Sequence, residues 1–147
     1  NARIETVATK PAFRAAFKRR RSIVPMAGYY EWSVSPEDGK KDPWSIHSTG
    51  PLLAAGLWED VSPLLPDGNL GTFTIITGDS SGVSADIHDR MPAWVPPDQV
   101  DDWLTAGPEE AMAMLLASEP PAMAAHRVSR AVNTPRNNRP ELLDPVA

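Results

Sequence analysis

Ile23-Val24-Pro25-Met26-Ala27-Gly28-Tyr29-Tyr30-Glu31-Trp32 is the stretch on which the reading of this chain turns. A β-branched start and three aromatic rings near its end read as a strand. One carboxylate, Glu31, sits among those rings behind a glycine. In such company an acid is partly shielded from water, the condition under which a carboxyl both gives and takes protons near neutrality. The plainer reading is a strand residue that alternates out to solvent. Taken alone, the stretch favours the plainer reading, because most carboxylates are of that kind.

On the N-terminal side, Asn1 to Val7 alternates loosely and reads as a strand running into a turn. Thr9 as N-cap and Pro11 in the first turn open a helix. Phe13, Ala16 and Phe17 fall at helical spacing and should face the core. Lys18-Arg19-Arg20-Arg21 closes that helix. Cations suit a helix C-terminus, so this run reads first as dipole compensation and second as a phosphate-contacting patch.

On the C-terminal side, Ser35 to Lys41 is a polar hairpin connection and Pro43 to His47 a returning strand. Leu52 to Trp58 reads as a buried strand in which Gly56 permits close backbone approach. Pro63 to Gly71 reads as a loop, and Thr72 to Thr77 is the clearest strand, β-branched and aromatic throughout. Gly78 to Ser84 is polar and loop-like. Pro97 or Asp98 starts a short helix carrying Val100, Trp103 and Leu104. Pro108 to Ser118 is the best helix, with Glu109 and Glu110 in its first turn and Met112 and Met114 filling the core. Arg127 to Asn133 reads as a late strand, ahead of a turn at Asn137 to Pro140 and a docking segment at Glu141 to Pro145.

Composition narrows the function classes. The 147 residues show no repeat and no linker, so residues 1–147 read as one domain. Sixteen prolines argue for short elements and many loops, and against a long helical bundle. A net charge of -5 does not advertise a nucleic-acid binder, although a local basic patch suffices for one. The absence of cysteine removes disulfides, thiolate metal sites and any thiol nucleophile within these residues. No apolar run approaches membrane-spanning length, and no signal peptide is apparent. The phosphate, dinucleotide, zincin and serine-hydrolase signatures are missing. Ser80 or Ser81 with His88 and Asp89 would supply the parts of a hydrolase triad, but Ser80-Ser81-Gly82 reads more simply as a loop. His47, His88 and His126 are too dispersed for a metal site, so neither metal nor cofactor is expected. His88 stands apart from the other two. It lies in Ile87-His88-Asp89-Arg90-Met91-Pro92, where an extended backbone would put His88 and Arg90 on one face and favour anionic ligands.

Six segments then fall in a fixed order: Asn1-Ala2-Arg3-x-Glu5-Thr6, Arg20-Arg21-x-x-x-Pro25-x-x-Gly28-x-x-Glu31-Trp32, Ala55-Gly56-Leu57-Trp58-Glu59, Thr74-Ile75-Ile76-Thr77, Ile87-His88-Asp89-Arg90-Met91-Pro92 and Val128-Ser129-x-x-Val132-Asn133. The series resembles the SOS response-associated peptidase (SRAP) family, sensors of abasic sites that crosslink to DNA. Each segment alone is weak; six in order over nearly the whole chain are specific.

The resemblance implies an α+β fold, with a mixed, curved and partly barrelled β-sheet and peripheral helices. It implies recognition of abasic sites in single-stranded DNA and capture of the ring-opened sugar as a thiazolidine by an N-terminal cysteine. It places the catalytic positions on Asn1, Glu31 and His88: an orienting amide, a proton shuttle, and a group that opens the deoxyribose and assists reversal. It places DNA contacts on Arg3, Thr77 and Arg90. Trp32 and Trp58 would serve as stacking platforms or as core, and their apolar strands favour core. The missing cysteine departs from the family, and the expectation is that an N-terminal portion carrying it precedes Asn1. The implied protein is a cytoplasmic monomer, nucleoid-associated on DNA, with no membrane or metal partner. The alternatives are an (auto)peptidase and a non-catalytic single-stranded DNA-binding remnant.

Overall fold

The computed structural model describes residues 1–60 and 71–146. The loop expected at Pro63 to Gly71 therefore lies, Gly71 apart, outside the described residues. The strands are β1 (Ala2–Arg3), β2 (Arg21–Val34), β3 (Lys41–Asp60), β4 (Gly71–Asp79), β5 (Arg90–Pro92) and β6 (Ala124–Arg127). The helices are α1 (Arg14–Arg19), α2 (Val100–Thr105) and α3 (Pro108–Ala117). The sheet is mixed: β1 runs parallel to β4, and β3 runs antiparallel to both β4 and β6. Its order is β1-β4-β3-β2, with β5 on β4 and β6 on β3. This is the expected α+β fold, and the path does not close into a barrel.

The chain falls into two compact units. One comprises Asn1–Met26, Leu53–Gly78 and Pro92–Pro121; the other comprises Ala27–Leu52, Asp79–Met91 and Ala122–Ala147. β2 and β3 each contribute to both.

The first unit packs Val7, Phe17, Leu57, Ile76, Trp103 and Leu115 into one core. Phe17 meets Trp103 edge to face with centroids 6.1 Å apart. Gly56 admits this packing: a Cβ there would stand 2.7 Å from Ser22 Oγ and 3.0 Å from Val24 Cγ2. α3 starts as its sequence says, with Pro108 in the first turn and Glu110 Oε2 accepting the Gly107 N–H at 3.2 Å. Met112 and Met114 pack against the core.

Several expectations shift. α1 begins at Arg14, not after Thr9, because residues 4–13 form turns and the Thr9 hydroxyl donates to Thr6 O instead of capping. Arg21 does not belong to a solvated helix end. It is 8% exposed, and its guanidinium donates to the carbonyls of Trp103, Phe17 and Ala106. The two strands expected at 43–47 and 52–58 are one, since Gly50 and Pro51 are exposed and do not interrupt it. The expected short helix forms as α2, with Trp103 buried and Leu104 exposed. Trp58 is 43% exposed, because strand alternation buries Leu57 and turns its neighbour outward.

The second unit buries Ile46, Leu52, Val128 and Leu142. The hairpin expected at Ser35 to Lys41 forms, with Ser35 N–H donating to Lys40 O at 2.8 Å and Gly39 at φ +68°. The late strand lies earlier than expected: Ala124–Arg127 pairs with β3, and Arg130–Asn133 is a 3₁₀ turn with Ser129 Oγ as its cap. No helix among the described residues is long and apolar enough to cross a membrane.

Candidate active site

Gly28 decides where the end of β2 can lie. A Cβ at this position would stand 2.6 Å from Ile46 O and 3.3 Å from the His47 Cβ, so only glycine lets β2 approach β3 so closely. Beyond it, Tyr29 hydroxyl shares a 2.8 Å hydrogen bond with Ser84 Oγ, which ties β2 to the 3₁₀ turn Gly82–Ser84. That turn leads directly into His88, whose N–H donates to Ser84 O at 2.9 Å. Burial pushes the Tyr29 phenol above its ordinary pKa, so the hydroxyl keeps its proton for this contact.

These ties bring Glu31 and His88 to one open pocket of about 490 Å³, which they line with Trp32, Lys41 and Asn133. Glu31 Oε2 lies 3.9 Å from His88 Nδ1. The Glu31 side chain is 23% exposed, neither sealed nor fully solvated. Asp89 Oδ1 stands 3.3 Å from the same nitrogen. His88 and Arg90 do not share a face of an extended segment. The backbone bends at Asp89, and the ring turns back so that Arg90 N–H donates to Nδ1 at 3.1 Å. The neutral ring thus has a donor at Nδ1, and the protonated ring has Arg90 O at 3.2 Å and the two carboxylates. An imidazole with partners in both states is suited to passing protons.

Arg90 itself donates through Nη1 to Asp79 at 2.8 Å, and that carboxylate is 91% exposed. A phosphate approaching Arg90 would meet a guanidinium already held by a displaceable surface acid. Asn1, Arg3 and Thr77 belong to the first unit. Arg3 is opposite Thr77 in the β1–β4 register, and Ile4 N–H donates to Thr77 O at 2.9 Å. Asn1 and Arg3 are exposed.

Trp32, expected in the core, is instead half-buried at the pocket. Its Nε1 donates to Asn133 Oδ1 at 2.7 Å, and Asn133 Nδ2 reaches Lys41 O at 3.5 Å. Sequence reasoning missed Lys41 and Asn133 as pocket residues. The Val128–Asn133 segment carried a signal for Asn133; nothing local marks Lys41. Among the described residues no group of acids and histidines could hold a metal ion.

The family model described as SOS response associated peptidase (SRAP) matches residues 1–135. The chain belongs to the SRAP family. Among its relatives, the abasic site processing protein YoqW of Bacillus subtilis (strain 168) is 36% identical over 149 residues, covering 98% of this chain and 66% of the relative. The abasic site processing protein YoaM of the same organism is 38% identical over 154 residues, covering 98% of this chain and 65% of the relative. A crystal structure of a protein from Bacteroides thetaiotaomicron aligns with a TM-score of 0.79 at 26% identity, over 100% of this SRAP chain and 66% of that one. The chain spans about two thirds of the length of these relatives.

Proposed function

We propose that this SRAP chain recognises abasic sites in single-stranded DNA, and that Glu31 and His88 move the protons needed to capture the sugar covalently. Ring opening breaks C1′–O4′: the C1′ hydroxyl loses a proton, O4′ gains one, and an aldehyde results. An amine then adds to the aldehyde, water leaves, and a thiol closes the imine into a thiazolidine. Each step needs a group that both accepts and donates, and such groups contribute typically 10²–10⁴-fold. Glu31 serves as proton shuttle, and His88 assists opening and reversal. These residues contain no cysteine and so do not themselves supply the thiol.

The observation that carries the reading is the 3.9 Å approach of Glu31 to His88 at an open pocket. The relatives named as abasic site processing proteins support it. Asn1 would orient the sugar or the amine. Arg3 and Arg90 would meet phosphates, Thr77 would line the DNA path, and Trp32 would offer a ring face to a base. Residues 1–147 are read as one domain, because the family match runs through both units. The protein is expected to act as a monomer in the cytoplasm and to associate with the nucleoid when on DNA.

The test uses protein expressed from its complete gene and two matched single-stranded oligonucleotides, one with an abasic site. The reading expects an adduct that survives SDS with the abasic strand alone. Salt-dependent reversible binding with no adduct would leave recognition standing and remove capture. Equal behaviour on both strands would contradict the reading as a whole.

A further inference from the structure

Between Glu5 and Glu31 the chain carries no acid and holds Lys10, Arg14, Lys18, Arg19, Arg20 and Arg21. On a chain of net charge -5 this is a local concentration of positive charge. The fold consumes only part of it. Arg20 pairs with Glu59 at 2.5 Å, and Arg21 is buried against carbonyls. Lys10, Arg14, Lys18 and Arg19 are exposed and have no ion-pair partner among the described residues. Nor does capping α1 require Lys18 or Arg19. Two of its last four carbonyls are already met, by the Arg20 N–H on Ala16 O and by Arg21 Nη1 on Phe17 O at 2.9 Å.

The first unit also leaves two aromatic rings in water. Trp58 and Phe73 are direct partners across β3 and β4, 43% and 66% exposed. With Ala12, Phe13 and Ala16 they line a groove of about 120 Å³. The end of α1 is fastened to this spot, since Trp58 N–H donates to Arg20 O at 2.9 Å and Arg20 Nε to Trp58 O at 3.2 Å. Lys18 and Arg19 directly precede Arg20, so they sit on the end of α1 that is fastened to the Trp58 backbone. The acid in the groove, Glu59, is neutralised by Arg20.

We propose that this face is a second contact for single-stranded nucleic acid, with bases stacking on Trp58 and Phe73 and phosphates meeting Lys18 and Arg19. Exposed rings alone would suit a protein partner as well. Unpaired cations on the helix end fastened to the same strand suit a polyanion with flat bases. The inference rests on the reading that the chain works on DNA. It uses residues distinct from Glu31 and His88.

The experiment measures affinity of the full-length protein for fluorescent oligo(dT) without an abasic site, across a salt series, alongside adduct formation on an abasic strand. Phe73→Ser and Trp58→Ser should each weaken binding by roughly five- to hundred-fold. The pair Lys18→Gln, Arg19→Gln should weaken binding and flatten the log–log salt slope by roughly 1.4. Phe73→Ser and the charge pair touch exposed side chains, so thermal midpoints should stay near wild type. Wild-type affinity and slope in all variants, with abasic capture intact, would overturn this inference alone. Loss of self-association in the ring variants with unchanged DNA affinity would overturn it in favour of a protein interface. A wild-type protein that neither binds intact strands nor captures abasic ones would overturn the functional reading with it.

Discussion

His88 Nδ1 stands 3.9 Å from Glu31 Oε2, while the N–H of Arg90 points at the same ring nitrogen from 3.1 Å. The second contact holds the ring, and the first sets a carboxylate beside it, beyond direct hydrogen-bond distance. The second contact follows from the bend at Asp89, which the short stretch 87–92 does not announce, and the first from the ties at Gly28, Tyr29 and Ser84. Four further expectations follow from the contacts that hold this arrangement and its scaffold.

Arg21 is the first. Its guanidinium satisfies carbonyls of Phe17, Trp103 and Ala106 and lies 5.5 Å from the Trp103 ring centroid. Burial lowers its pKa from the ordinary value, yet an arginine keeps its charge. Arg21→Met should destabilise by roughly 2–4 kcal/mol, since buried carbonyls lose their donors. Arg21→Lys should recover only part, because an ammonium lacks the planar fork. Urea unfolding checks this; an unchanged midpoint would show the carbonyls to be satisfied otherwise.

Arg21 also shows what the sequence hides. A run of cations reads as a solvated helix end, and two of the three acceptors that bury Arg21 lie 82 and 85 positions away. Thr72 to Thr77 was legible because β-branched propensity is local, and α3 because its proline and glutamates mark their own end. Trp58 was misjudged from its apolar neighbours, although period-two alternation with buried Leu57 pointed outward. Glu31 and His88 were legible only as parts of an ordered series. Lys41 reaches their pocket through strand pairing that no local pattern encodes.

Gly28→Ala should destabilise by roughly 1–3 kcal/mol, because its Cβ would meet the backbone oxygen of Ile46 at 2.6 Å and backbone cannot yield cheaply. Gly50→Ala is the control. Nothing lies within 4 Å of its Cβ and its φ is not positive, so a change within about 0.5 kcal/mol is expected. Equal effects in thermal unfolding would refute the close-approach argument.

Acid should loosen the second unit through Asp38. Arg130 donates to its two oxygens at 2.6 and 2.9 Å and also to Asp42 at 2.8 Å. The Arg130 hydrogen bonds, helped by the Lys40 N–H, hold Asp38 well below the usual carboxylate range, and the same contacts raise Arg130. A carboxyl depressed in the folded state stabilises above its unfolded pKa, about 3.9, and loses that contribution as pH falls toward its folded value. Stability should therefore decline progressively below about pH 4. Asp38→Asn should be less stable at neutral pH and shallower in its acid dependence, followed by circular dichroism. An identical acid profile would remove Asp38 from the account.

The most direct measurement is single-turnover adduct formation on an abasic single strand by full-length wild type, Glu31→Gln, His88→Gln and the double variant. Under the proposed roles, Glu31 and His88 serve the same sugar and should act as a unit. Each single variant should be slowed by roughly 10²–10⁴-fold with DNA affinity retained, and the double variant should be little slower than the worse single. Single variants that react at the wild-type rate while binding normally would contradict the assignment of Glu31 and His88 as the acid–base pair.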